Sequence, residues 1–79
     1  MEIYSHLFEE IGFSKTNYSF YHYTHGCMEF MVAYDSTVGY TMQCIKKDGG
    51  IVKFAKLGRH PYKEMVENII DRVASSVCG

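Results

Sequence analysis

The sequence predicts a small α+β fold in which a helix, a four-stranded antiparallel meander and a second helix follow one another. Apolar residues recur at helical spacing near both ends of the 79-residue chain. Between them lie four runs that alternate apolar and polar residues or are rich in aromatic residues, as strands do. Short connections that contain glycine separate the runs, as antiparallel hairpins require. We therefore expect residues 1–79 to form one domain, with both helices on one face of the sheet.

The first helix is predicted over residues 2–11. Its apolar residues fall at the offsets of one helical face: Ile3, Leu7, Phe8 and Ile11. Gly12 follows and can adopt the left-handed conformation that commonly ends a helix. The helix is short and amphipathic, so its apolar side is expected to pack against the sheet.

The four strands are predicted over residues 17–24, 28–34, 40–47 and 51–57. The first hairpin turn is placed around Gly26, and the last turn is placed at residues 48–50, which read Asp-Gly-Gly. Alternation puts Tyr40, Met42 and Cys44 on one side of the third strand, and we expect that side to face the core.

The last helix is predicted to begin at Pro61, because proline fits the first position of a helix. Apolar residues then recur in one stripe: Tyr62, Val66, Ile69, Ile70, Val73 and Val77. Most residues between them are charged or carry amides, so we expect that side of the helix to be solvated.

Composition places the chain among folded, soluble domains. Hydrophobic residues make up 47% of the chain, charged residues make up 22%, and the formal net charge is -1. No apolar run reaches the roughly 18 residues that span a membrane, and the N-terminus lacks the basic start and apolar middle of a signal peptide. The sequence therefore predicts a cytoplasmic protein without a membrane partner, in the host cytoplasm if a phage encodes it.

Three cysteines, Cys27, Cys44 and Cys78, bear on the redox state of the chain. They form an odd set at wide spacing, whereas small secreted domains usually carry an even disulfide framework. We therefore predict reduced thiols, no intrachain disulfide and a buried Cys44.

His22, His25 and Cys27 raise two alternatives, a zinc site and a Cys-His nucleophile pair. Imidazole and thiolate both suit zinc, but strand alternation separates these side chains and no fourth ligand lies at a recognised spacing. A nucleophilic cysteine needs an electropositive pocket and a third orienting group, and the sequence indicates neither. The predictions are therefore no enzymatic activity, no metal and no cofactor.

The second face of the sheet is predicted to be open and rich in aromatic residues. The length of the first hairpin loop decides which residues it holds, because a shift of one residue exchanges the two faces. A loop of three residues points Phe20, His22, Phe30 and Val32 inward and exposes Tyr21, Tyr23, Met31 and Ala33. A loop of two residues exposes Tyr18, Phe20, His22, Cys27 and Met31 instead. Monomers seldom leave such a surface uncovered, so we expect a homodimer or an obligate complex through this face.

Charge is distributed unevenly along the chain. Residues 1–45 have a net charge of -4, residues 46–63 have +5 and residues 64–79 have -2. The basic residues of the middle segment are Lys46, Lys47, Lys53, Lys56, Arg59 and Lys63. Such a segment can bind phosphates or an acidic protein surface, or its lysines can protect an edge strand against pairing.

The order of helix, antiparallel sheet and helix with a basic start resembles the double-stranded RNA-binding domain family. Lys63 stands at the start of the last helix, where the family carries lysines, and His25-Gly26 is the nearest counterpart of the family's Gly-Pro-His loop. The resemblance covers most of the chain as topology, although the family's sheet has three strands. It implies RNA or DNA binding through residues 46–63, which is the alternative function.

The function predicted first is that of a small non-enzymatic interaction protein that binds and occludes or tethers a larger protein or ribonucleoprotein complex. In style it is similar to the inhibitors that phages and mobile elements encode, including anti-CRISPR proteins, which also combine a short chain, a compact mixed fold and uneven charge. The residues expected to contact the partner come from the three-residue loop register and from the basic segment: Tyr21, Tyr23, Met31, Lys46, Lys47, Lys53, Lys56 and Arg59.

Overall fold

The protein folds as a five-stranded antiparallel meander with one helix before it and one after it. The computed structural model describes residues 5–17 and 20–78. Its elements are α1 (Ser5–Ile11), β1 (Ser14–Asn17), β2 (Phe20–His25), β3 (Met28–Asp35), β4 (Gly39–Lys46), β5 (Ile51–Gly58) and α2 (Lys63–Cys78). The spatial order of the strands is their order in the chain. The predicted α+β meander is confirmed, with one strand more than expected.

The additional strand is β1, which pairs with β2 and places Lys15 opposite Tyr21. Its sequence, Ser-Lys-Thr-Asn, has no apolar alternation, so the pattern gave no reason to predict a strand. The hydroxyl of Thr16 donates a hydrogen bond of 3.3 Å to the carbonyl of Phe20, which supports the connection between the two strands. The predicted first strand therefore began too early, because residue 17 belongs to β1.

The β2–β3 hairpin has a two-residue turn, because His25 pairs with Met28. Gly26 has a φ of 62°, a conformation that glycine adopts without strain in such turns. The register corresponds to the two-residue alternative, so Tyr21 and Tyr23 lie on the helix side of the sheet. The expectation that these tyrosines point away from the core is wrong. Among the residues that this alternative exposes, Tyr18 lies outside the described residues and Cys27 lies in the turn.

The core lies between the helices and one face of the sheet. Its buried residues are Phe8, Phe13, Tyr21, Met28, Phe30, Val32, Tyr40, Met42, Cys44, Leu57, Val66, Ile70 and Val73. Phe8 of α1 is central, since its ring centroid lies 5.1 Å from that of Tyr21, 5.4 Å from that of Tyr40 and 5.6 Å from that of Phe13. Both helices therefore pack on the same face, as predicted.

Helix α2 begins two residues later than predicted. The carbonyl of Tyr62 accepts a hydrogen bond of 3.2 Å from the amide of Val66, which makes Tyr62 the N-cap residue and leaves Pro61 before the helix. Tyr62 is exposed, so it does not belong to the apolar stripe. The stripe is otherwise as predicted, with Ala74 added to its buried residues.

A disulfide between Cys27 and Cys78 corrects the prediction that all three thiols are reduced. It joins the end of α2 to the β2–β3 turn, and the amide of Cys27 lies 3.3 Å from the sulfur of Cys78. The two cysteines are 51 residues apart in the chain, and only the docking of α2 brings them together. Sequence spacing therefore could not reveal the pair. Cys44 is free and buried, as predicted.

Loss of the disulfide, by reduction or by C27S with C78S, should lower the free energy of unfolding by about 2–4 kcal/mol. The reason is that the bond closes a separation of 51 residues in the unfolded chain. Urea denaturation measures the change. Without reductant, the folded chain should not react with iodoacetamide, and the unfolded chain should react only at Cys44. Labelling of all three cysteines without reductant would contradict the pairing.

G39A should destabilise the fold more than G49A does. Both glycines have positive φ, 90° and 98°, so alanine at either costs about 1–2 kcal/mol of backbone strain. A Cβ at Gly39 would also lie 2.6 Å from the carbonyl carbon of Gly58, whereas a Cβ at Gly49 meets nothing within 4 Å. Crowding adds roughly 1–3 kcal/mol to the loss at Gly39. Equal losses in urea denaturation would contradict the close approach of Gly39 to Gly58.

Candidate partner-binding face

The face of the sheet opposite the helices is covered by no other element of the described chain. Cross-strand pairing arranges its side chains in three rows, which together we call the open face. The first row holds Phe20, Ala33, Thr41 and Lys56. The second row holds His22, Met31, Gln43 and Phe54, and the third row holds Thr24, Glu29, Ile45 and Ile51.

Large apolar side chains are exposed at both sides of the open face. Phe20 on β2 is 41% exposed, while Phe54 and Ile51 on β5 are 54% and 64% exposed. Met31 and Ile45 lie between them and are half-buried. The apolar surface therefore extends across four strands.

The charged groups of the open face nearly cancel. The Nε2 atom of His22 lies 2.9 Å from a carboxylate oxygen of Glu29, and both side chains are about one-third exposed. Lys56 is the remaining charged residue in the three rows. A surface of this kind matches an apolar, weakly charged partner better than a phosphate backbone.

Of the predicted contact residues, Met31 and Lys56 lie on the open face, and the tyrosines do not. Tyr21 is 1% exposed. The ring centroid of Tyr23 lies 5.2 Å from that of Phe13 with the rings tilted, and its hydroxyl lies 3.1 Å from Nδ1 of His25 on the helix side. The sequence did allow part of the open face to be predicted, because the two-residue loop register exposes Phe20 and His22.

Phe54 and Ile51 were not predicted as contact residues. The alternation of β5 indicates Phe54, because Ala55 is buried on the helix side and its neighbour must face the opposite way. Ile51 is less easily predicted, because a register irregularity between Cys44 and Ile45 shifts the pairing of this end of β5.

The basic residues predicted to act together are distributed over different surfaces. Lys46 ends β4 and Lys47 lies in the following turn. Lys53 pairs with the buried Cys44 and so lies on the helix side, whereas Lys56 pairs with Thr41 on the open face. The odd spacing of the two strand lysines puts them on opposite faces. Lys53 and Lys56 therefore do not share one face of the sheet, and binding of a partner through residues 46–63 stays a prediction.

Arg59 has a structural role in the fold. Its Nη2 atom donates hydrogen bonds of 2.8 Å to the carbonyls of Ser36 and Thr37, which lie in the β3–β4 turn. The guanidinium therefore holds the turn beside the end of β5. Such contacts orient the side chain towards its own chain and away from a partner.

The thiols do not provide a nucleophile or a metal site. Burial raises the pKa of the Cys44 thiol, and the positive charge of Lys53 lowers it by less. A raised pKa keeps the group as an unreactive thiol. Cys27 is bonded to Cys78, so it offers no thiolate to zinc or to a substrate. Within residues 5–17 and 20–78, no three His, Cys, Asp or Glu side chains are grouped to hold a metal ion.

None of the described helices has both the length and the apolar character needed to cross a membrane.

R59Q should lower the free energy of unfolding by about 1–2 kcal/mol, because two charge-assisted hydrogen bonds to the β3–β4 turn are lost. K47Q is the matched control and should change that free energy by no more than about 0.5 kcal/mol, since Lys47 is exposed. Urea denaturation of both variants makes the comparison. An R59Q variant with the same free energy of unfolding as K47Q would contradict the structural role of Arg59.

Comparison of the chain with protein-family models, with curated proteins and with solved structures finds no match, so the proposal of a function rests on the geometry described above.

Proposed function

We propose that this protein is a non-enzymatic interaction module that binds a larger protein partner through the open face. One observation carries the proposal: Phe20, Phe54 and Ile51 are exposed on a sheet face that no described element covers. Contiguous apolar surface of this kind marks interaction sites in folded proteins. Aromatic residues and methionine are also enriched where proteins contact one another.

A protein partner fits this face better than nucleic acid does. The three rows contain one lysine, Lys56, and the acid Glu29 already contacts His22. Nucleic-acid binding depends on several cations that neutralise phosphates together. Lys53 and Lys56 lie on opposite faces of the sheet, and Arg59 contacts its own chain. RNA or DNA binding therefore remains the alternative, with less support.

The mode of action we propose is occlusion or tethering of the partner. A five-stranded sheet held by a packed core is a rigid platform, so it can cover a partner's surface with little loss of conformational entropy. Binding by such a face needs no catalytic group. This is the manner in which small phage and mobile-element inhibitors would act on a larger complex.

The disulfide bears on the compartment in which binding would occur. Disulfides are rare in cytosolic proteins, so pairing of Cys27 with Cys78 favours an oxidising compartment over the predicted cytoplasm. The open face lies on the opposite side of the sheet from α2, which carries Cys78. A partner could therefore use the open face in either redox state.

F54D should weaken binding of the partner by roughly tenfold to a hundredfold, because it places a charge in the apolar part of the open face. Y62D is the matched control, since Tyr62 is an aromatic residue of similar exposure, 61% against 54%, that lies outside the three rows. The partner is identified by capture with the tagged wild-type chain, and its affinity for each variant is then measured by calorimetry.

F54D should keep the wild-type free energy of unfolding within about 1 kcal/mol, because the altered side chain is exposed although aspartate is disfavoured in strands. Y62D should equal or exceed the wild-type value, since aspartate is favoured at the N-cap of α2. Equal binding by F54D and the wild type would overturn the proposal. Sedimentation of the same variants tests the homodimer, and a dimer lost only in F54D would assign the open face to a second copy. Nucleic acid that copurifies in a salt-sensitive manner would favour the alternative function.

A further inference from the structure

A groove of about 300 Å³ lies between β5 and α2, on the helix side of the sheet. Its lining residues are Val52 and Lys53 from β5 and Arg72, Val73, Ser76 and Val77 from α2. Helix α2 packs mainly over β3 and against α1 and leaves the groove open beside the first half of β5. Val52 and Lys53 are therefore exposed, while Ala55 and Leu57 further along the strand are buried.

One wall of the groove is an unpaired strand edge. β5 is the last strand of the sheet and pairs only with β4. Alternate amides and carbonyls along the other side of β5 therefore have no strand partner among the described residues. An exposed edge of this kind can accept an extended peptide as a further strand, and main-chain hydrogen bonds then supply much of the affinity.

The side chains of the groove define the chemistry of such a peptide. Lys53 and Arg72 are cations for which the described residues provide no hydrogen bond or ion pair. Val52, Val73 and Val77 add apolar surface beside them. A strand added at this edge would point every second side chain into the groove, and acidic and small apolar side chains would match what is there.

A second copy of this chain does not match the edge. β5 carries Lys53 and Lys56 and no acidic residue. Pairing β5 with another β5 would bring these lysines close to one another, and like charges on adjacent strands are destabilising. Edge lysines commonly prevent such self-pairing. The charge of β5 therefore selects an acidic strand and disfavours a homodimer at this edge.

We propose that the β5–α2 groove binds an extended acidic segment of a partner protein, which pairs with β5 as a sixth strand and directs acidic side chains to Lys53 and Arg72. This site lies on the other side of the sheet from the open face, and it does not depend on the function proposed for that face. It gives the chain a second contact surface with a different chemistry.

The test uses a fluorescein-labelled peptide of about ten residues. Threonine occupies every second position, and the positions between hold glutamate or valine. Fluorescence anisotropy at about 0.15 M salt, where exposed charges more than about 8 Å apart are largely screened, should detect binding to the full chain. K53E and R72E should each weaken binding of the peptide about fivefold, because a cation that attracts glutamate becomes an anion that repels it. The double variant should weaken binding by at least about tenfold. K56E makes the same change of charge on the opposite face of β5 and should stay within about twofold of the wild type.

Hydrogen exchange identifies the mode of binding. The peptide should protect the alternate β5 amides that do not bond to β4, and F54D should bind the peptide as the wild type does. Equal losses in K53E and K56E, or protection confined to other strands, would overturn the proposal. The proposal would also be overturned if a peptide with lysine in place of glutamate bound equally well, or if a single-stranded oligodeoxythymidine bound more tightly than the acidic peptide. Equal binding of the protein partner by F54D and the wild type would overturn the open-face proposal and leave this result unchanged, so the two proposals fail separately.

Discussion

The two-residue turn at Gly26 and Cys27 is the constraint on which the rest of the structure depends. It pairs His25 with Met28 and thereby fixes which side of β2 and β3 faces the helices. With this register, Tyr21 and Phe30 enter the core, while Phe20 and Met31 face the opposite way. A slip of one residue would reverse every one of these placements. The composition of the core and that of the open face are therefore set by the same turn.

Packing on a single face follows from this register. Phe8 of α1 contacts the rings of Tyr21 and Tyr40, and Val66 and Ile70 of α2 complete the same core. Each helix has one apolar stripe, and both stripes are buried on this side of the sheet. The disulfide joins α2 to the β2–β3 turn, so it links the position of the helix on the sheet to the hairpin that fixes the register of β2 and β3. The second face is left without a covering element among the described residues.

The sequence predicted the elements that have clear strand alternation or helical spacing. It did not predict the features that depend on contacts between residues far apart in the chain. β3 and β4 were predicted within a residue or two, because their buried residues alternate. β1 was missed because four polar residues become a strand only by pairing with β2. The candidate contact residues depended on loop length, which left two registers open, and the residues named first, Tyr21 and Tyr23, followed the wrong one. The disulfide depended on the tertiary position of α2.

β5 shows that basic residues close together in a sequence need not lie on one surface of the fold. Its alternation sends Phe54 and Lys56 to the open face and Lys53 to the groove beside α2. One segment therefore contributes to two surfaces, one apolar with nearly balanced charge and one cationic beside an unpaired strand edge. Lys53 and Lys56, which belong to one basic cluster in the sequence, lie on opposite faces of the sheet, and Arg59 is bound to the β3–β4 turn. The chemistry of each surface of this fold is consequently set by the face on which each β5 residue lies, and the net charge of the segment does not describe it.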